Sequence, residues 1–313
     1  MADYLVTGGA GFIGSNITER LAKSGKSVRV FDNFLTGKRE NLSSLAGKAE
    51  IIEGDLRNID QLSRAMAGVR YVLHLGALPS VPRSVEQPLP AHDINLTGTL
   101  NVLIAARDAK VKRVVFSSSS SVYGDTPTLP KREDMMPAPL SPYAVHKLAG
   151  EHYCRIFYQL YGLETVALRY FNVFGPRQDP QSQYAAVIPR FITAILAGKK
   201  PVIYGDGWQT RDFSHVENII DANLAACQAG KGALGEAFNI ACGGRISLMV
   251  LVDTINQIIG SEIKPKHEPA RPGDVLHSQA AITKAGKLLS WKPRVDFREG
   301  IERAIGWYRQ QTR

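Results

Sequence analysis

Tyr143 and Lys147 stand four residues apart in the run Ser-Pro-Tyr-Ala-Val-His-Lys. On a helix that spacing puts both side chains on one face, a turn apart. An ammonium beside a phenol favours the phenolate, and a neighbouring cation lowers a pKa by about 1–3 units from an unperturbed value of about 10. A phenol tuned in this way is a base near neutrality. Upstream, Val114-Val115-Phe116 runs into five consecutive serines, 117–121. The apolar run reads as a strand, and its end would deliver hydroxyls to the mouth of the same cleft. A tyrosine base among serines suits removal of a proton from an alcohol while hydride leaves the same carbon. That chemistry needs a hydride acceptor and a site that holds the alcohol.

The acceptor's site is written at the start of the chain. Tyr4-Leu5-Val6 precedes the turn Gly8-Gly-Ala-Gly11-Phe12-Ile13-Gly14, then an amphipathic stretch over 17–23, then a second strand over 28–31 that ends in Asp32. Glycines at these places let the backbone turn tightly, approach a diphosphate and pack the helix on the sheet, with the helix N-terminus facing the phosphates. Asp32 lies 18 residues past Gly14, where an acid accepts the adenosine ribose hydroxyls. Strand, glycine turn, helix, strand and acid together predict a dinucleotide site. Asp32 would repel a 2′-phosphate and so favours NAD over NADP, while Lys38 and Arg39 pull the other way.

Further along, strands are predicted at 51–53, 71–75, 111–116 and 164–168. Between them lie a helix capped by Asn58 or Asp60 and ending at Met66, a helix over 93–109 carrying Asn95, and a helix capped by Ser141 that carries Tyr143 and Lys147. Asp55 and Leu56 follow the third strand as a tip that could touch the adenine. His74 ends a buried strand and is expected to be a hydrogen-bonded core residue. Residues 79–84 read as a proline-broken loop at the sheet edge where ligands bind. The alternation argues for an α/β fold with a doubly wound parallel sheet. After Arg169 the pattern loosens. A turn-rich stretch over 170–180 leads to a helix over 187–196, strands over 201–204 and 211–216, and a helix over 217–229. A smaller α/β C-terminal part of this kind suits a substrate lid.

Composition narrows the class. The 313 residues are 44% hydrophobic and 21% charged, enough for a sizeable core, and the formal charge is +9. No Lys/Arg block tracks phosphates, so nucleic acid is not an expected partner. The three cysteines (Cys154, Cys227, Cys242) are far apart, so neither a disulfide framework nor a metal site is expected, and a reducing cytoplasm fits. Neither a signal peptide nor a membrane span is expected.

The stretches TGGAGFIG, GDL at 54–56, SSSSSVYG, SPYAVHK, LRYFNVFGPRQ and TRDFSHV resemble, in order, the extended short-chain dehydrogenase/reductase family, and within it the UDP-hexose 4-epimerases. The resemblance implies a Rossmann domain with tightly held NAD over 1–173, completed by 210–240, and an interleaved UDP-sugar domain over 174–313. It places the catalytic roles on Ser119, Tyr143 and Lys147. NAD would also touch Asn33, Leu75, Ala77, Asn95, Tyr170 and Val173. UDP would be held by Asn172, Val187, Ile188, Tyr204, Arg211, Arg271 and Asp274, and the sugar would lie near Ser80, Ser120 and Ser121. Related dehydratases carry Asp-Glu at the positions of Ser120 and Ser121; hydroxyls cannot do that acid–base work, so oxidation followed by re-reduction is implied. The family's size gate falls on Ser278, and a small residue there implies room for an acetamido sugar: UDP-GlcNAc and UDP-GalNAc, with UDP-Glc and UDP-Gal besides. A homodimer is implied, through the helices over 93–109 and 141–161.

Overall fold

The structure is a computed structural model that describes residues 2–182, 186–270 and 276–311. In chain order the elements are β1 (Ala2–Thr7), α1 (Phe12–Lys23), β2 (Val28–Asp32), β3 (Ala49–Glu53), α2 (Ile59–Met66), β4 (Val69–His74), α3 (Val81–Glu86), α4 (Pro88–His92), α5 (Gly98–Asp108) and β5 (Arg113–Ser119). Then come α6 (Pro142–Tyr161), β6 (Glu164–Tyr170), β7 (Val173–Phe174), α7 (Val187–Leu196), β8 (Val202–Tyr204), β9 (Thr210–Arg211), β10 (Ser214–His215) and α8 (Val216–Gln228). The chain finishes with β11 (Glu236–Ile240), β12 (Ile246–Ser247), α9 (Leu248–Ile259), β13 (Lys266–Glu268), α10 (Thr283–Leu288) and α11 (Phe297–Gln311).

Seven strands form one parallel sheet in the order β11-β6-β5-β4-β1-β2-β3. Strands buried on both faces need continuous apolar runs, and Leu5, Val6, Val72, Leu73, Val114 and Val115 supply them. One face packs against α2, α5 and α6 through Leu62, Val102, Leu103 and Phe157. The other packs against α1 and α8 through Ile17, Leu21, Ile219 and Ile220. A third core, around Phe174, Phe191, Leu251 and Ile305, joins α7, α9 and α11. Strand order reverses between β1 and β4, and that switch point opens a crevice at the carboxyl ends of the strands. Among the described residues, no helix is long and apolar enough to cross a membrane.

Local chemistry sets the helix that matters most. The Ser141 hydroxyl accepts the Ala144 amide at 3.2 Å and Pro142 occupies the first turn of α6, while Gly162 ends it in the left-handed region at φ 70°. Three elements differ from expectation. Residues 211–216 are two short strands: β9 pairs antiparallel with β12, and β10 pairs parallel with β7. The break falls at Asp212, whose carboxylate accepts the amides of Cys242, Gly243 and Ala280 at 3.0 Å and turns the chain. Residues 79–84 wind into α3, because a proline near a helix start costs no hydrogen bond. The predicted helix over 93–109 opens with a π-turn, Asp93–Thr97, before α5.

Candidate active site

A cleft of about 520 Å³ lies over the switch point. Its walls bring together Gly8, Gly11, Phe12, Ile13, Gly14, Asp32, Asn33, Asp55, Leu56, Leu75, Ala77, Ser80, Ser119, Tyr143, Lys147, Tyr170, Asn172 and Val173. Residues at the ends of six strands of the sheet, the start of β7 and two helices thus meet in one crevice.

The glycine turn is shaped for a diphosphate. A Cβ on Gly14 would stand 2.2 Å from the Gly8 carbonyl oxygen, and Gly8 itself sits at φ 68° against the Gly76 backbone. Gly11 brings no side chain to cap α1, so its first amides are left for an anion. Asp32 is held by the Ala10 amide at 2.9 Å and the Phe34 amide at 2.8 Å. The two basic residues behind it are committed elsewhere: Lys38 pairs with Asp179 at 2.8 Å, and Arg39 pairs with Glu53 at 2.5 Å while lying over the Phe34 ring. Neither is left for a 2′-phosphate, so the site fits NAD. Asn33 donates to Asp55 at 3.0 Å, and Arg57 holds the Asp55 carboxyl well below the usual range. Asn95 is not in the cleft wall. Its side chain accepts the Leu78 amide at 2.6 Å and donates to the Leu78 carbonyl, bracing the loop after β4.

At the other end, Lys147 donates to the Ser117 carbonyl at 2.7 Å and its Nζ lies 5.7 Å from the centre of the Tyr143 ring. Ser119 offers the phenol a hydrogen bond that favours ionisation. Burial acts against the ionisation expected of this pair. Burial pushes Tyr143 up to about 12 against the Ser119 hydrogen bond, and pushes Lys147 down to about 8, since each charged form is desolvated. Ser120 and Ser121 start a 3-10 turn outside the described cleft walls, and the Ser121 hydroxyl is buried with no hydrogen-bond partner among the described residues. His74 lies between the hydroxyls of Thr7 and Thr99 at 2.7 and 3.0 Å, a core residue as expected.

A second cavity of about 240 Å³ adjoins the first, and Asn172, Val173 and Ala186 line both. Val187, Ile188, Tyr204 and Arg211 line it, as do Gln209 and Phe191, which the sequence did not single out. Asn172, at φ 33°, donates to the Ser278 hydroxyl at 3.1 Å, so Ser278 braces the junction of the two cavities from behind. Arg271 and Asp274 lie outside the described residues. Arg83 and Ser84 lie in the 79–84 segment that the sequence placed at the ligand edge, but neither was singled out; Arg177 and Asp212 were missed. Tertiary contacts give them their places: Ser84, for example, accepts the Tyr143 amide from 59 positions away at 3.1 Å.

The profile of the NAD dependent epimerase/dehydratase family matches residues 4–241. The chain belongs to that family. It is 40% identical over 311 residues to a putative UDP-glucose 4-epimerase of Methanocaldococcus jannaschii, covering 99% of each chain. Among solved structures it is similar to a UDP-N-acetylglucosamine 4-epimerase from Methanobrevibacter ruminantium in complex with UDP-N-acetylmuramic acid, with TM-score 0.94, 43% identity and 99% of each chain covered. It is similar as well to a Thermus thermophilus UDP-glucose 4-epimerase in complex with NAD, with TM-score 0.89, 36% identity and coverage of 98% of this chain and 99% of that one. As a member of this family the protein uses NAD, and the cleft over Gly8, Gly14 and Asp32 has the shape and charge to hold it.

Proposed function

We propose that the protein inverts C4 of a UDP-hexose through a 4-keto intermediate, with UDP-GlcNAc and UDP-GalNAc as the main pair and UDP-Glc and UDP-Gal also accepted. One observation carries the reaction type. The carboxylates lining the cleft, among the described residues, are Asp32, Asp55 and Asp179, all at the adenosine end. Among the described residues lining the cleft, no acid stands beside Ser119 and Tyr143 to protonate a leaving hydroxyl or draw a proton from C5. Elimination therefore lacks its catalyst, whereas oxidation and re-reduction need only the groups present.

NAD held in the cleft would supply reversible acceptance of the C4 hydride and, when oxidised, a positive charge. Tyr143 takes the proton of the sugar 4-hydroxyl, and Ser119 bridges the sugar oxygen and the phenol. Lys147, fixed on the Ser117 carbonyl, keeps a positive charge beneath the pair. Burial lifts the phenol to about 12 despite the Ser119 hydrogen bond, so ionisation near neutrality would draw on that charge and on the positive charge of the oxidised cofactor. The keto sugar then turns about its link to the diphosphate and presents its other face. The nucleotide must be gripped firmly and the sugar loosely. Arg211, Tyr204, Asn172, Val187 and Ile188, joined by Arg271 and Asp274, are the proposed grip.

The sugar assignment is supported by the small Ser278 behind Asn172, and by the likeness to a UDP-N-acetylglucosamine 4-epimerase. Strict UDP-glucose 4-epimerase activity is the second reading, favoured by the name of the 40% identical relative. Steady-state kcat/KM on all four sugars, with product NMR, separates the two. A thousandfold preference for UDP-Gal over UDP-GalNAc would overturn the first. Ser278→Tyr should abolish turnover of the acetamido sugars and spare the plain hexoses. The same reading includes the two domains, 1–173 completed by 210–240 and 174–313, and a homodimer covering the exposed Ile156, Leu160 and Tyr161 of α6, which sedimentation tests.

A further inference from the structure

Four cations line the cleft among the described residues: Lys38, Arg83, Lys147 and Arg177. Three are committed. Lys38 pairs with Asp179 at 2.8 Å, Arg177 pairs with Glu19 at 2.6 Å, and Lys147 donates to the Ser117 carbonyl at 2.7 Å. The fourth is the half-buried Arg83 on α3, whose guanidinium has no partner among the described residues. Its position is fixed by its neighbours. The Ser80 hydroxyl accepts the Arg83 amide at 3.3 Å, and the next residue, Ser84, accepts the amide of Tyr143 at 3.1 Å. Arg83 therefore belongs to the reactive end of the cleft. The loop that presents it is strained: Ser80, also in the cleft wall, sits at φ 89°, where a residue with a Cβ rarely goes. Strain of this kind persists where ligands are clamped. A guanidinium drawn partly out of water without an acceptor is unfavourable until an anion reaches it.

We infer that Arg83 is a further substrate-binding residue, taking an anionic group of the nucleotide sugar at the reactive end of the cleft. The inference rests on the sugar-nucleotide reading above. Two groups share the chemistry a guanidinium recognises, a diphosphate oxygen pair or a carboxylate carried on the hexose, and either accepts two parallel N–H bonds. Their positions differ, so their energetic signatures separate.

The test uses the NAD-loaded enzyme as wild type, Arg83→Met and Arg83→Lys. Affinities for UDP and UDP-GlcA are measured by calorimetry, and kcat/KM is measured for UDP-Glc and UDP-GlcA at low and high salt. A charge-assisted hydrogen bond corresponds to about 10- to 100-fold. If the diphosphate is the partner, Arg83→Met weakens UDP and both sugars alike by that factor. If a sugar carboxylate is the partner, UDP and UDP-Glc are spared and UDP-GlcA alone loses the factor together with its salt dependence. Either pattern, with Arg83→Lys recovering part of the loss, supports the assignment. Changes below twofold for every ligand overturn it. So does an equal loss in both variants with salt dependence unchanged, which would mark a structural role. A wild type that turns over no UDP-hexose would refute the proposed function, and the calorimetric affinities for UDP and UDP-GlcA would still decide the role of Arg83.

Discussion

Replacing Glu151 with leucine would strand a buried cation beneath the catalytic strand. Glu151 lies one helical turn beyond Lys147, and its carboxylate accepts the Ser118 hydroxyl at 2.5 Å and Arg169 Nε and Nη2 at 2.9 and 2.7 Å. The side chains of Glu151 and Arg169 are only 7% and 6% exposed. Burial works against the Arg169 charge, but Glu151 and the Tyr123 hydroxyl outweigh it and hold the guanidinium above its ordinary value. Removing one partner of such a pair costs about 3–5 kcal/mol, since the other stays charged and dry. Glu151→Leu should therefore lose about that much in urea unfolding followed by tryptophan fluorescence, a large part of a typical stability of about 5–15 kcal/mol. The double variant Glu151→Leu with Arg169→Leu removes both charges and should regain at least about 2 kcal/mol of the loss as coupling. A catalytic effect should accompany the stability effect. Ser118 sits between Ser117, which anchors Lys147, and Ser119, so the milder Glu151→Gln should lower kcat while leaving UDP affinity unchanged. A double-mutant coupling below about 0.5 kcal/mol would refute the view that this ion pair braces the strand.

Three further outcomes are expected. Tyr143→Phe should lower kcat by about 10²–10⁴ while NAD remains bound, as read by absorbance of the purified protein, and near-wild-type turnover would remove Tyr143 as the base. Gly14→Ala should abolish cofactor retention, because its Cβ would meet the Gly8 carbonyl oxygen at 2.2 Å; stoichiometric NAD in that variant would contradict the cradle. Stability should fall as pH drops from about 6.5 towards 4. Burial, with the Lys147 charge adding, holds His74 down at about 3, so it folds neutral while the unfolded chain takes up a proton below about 6.5. Each unit below 6.5 then costs about 1.4 kcal/mol from this group, and His74→Asn should flatten the slope of urea midpoint against pH.

The elements that do chemistry through short-range spacing were legible in the chain. The glycine turn, the acid after β2, and the tyrosine and lysine on one helical face depend on periodicities of a few residues, and the structure places all of them in one cleft. So were the helix caps at Asn58 and Ser141, whose side chains accept amides three residues on. Pairing and desolvation were not legible, because they are set by residues far apart in sequence. The sequence left Lys38 and Arg39 as a reason to doubt NAD; only the fold ties them to Asp179 and Glu53. Asn95 holds the Leu78 backbone from 17 positions away, a pairing that no local pattern announces. The segment over 211–216 has the pattern of one strand, but Asp212 collects amides from residues 30 to 68 positions away and breaks it in two. The phenol at the centre of the chemistry shows the division most clearly. Sequence put a tyrosine and a lysine side by side and suggested that a neighbouring cation favours the phenolate. Burial, a property of the whole fold, raises the phenol, against the hydrogen bond that Ser119 offers.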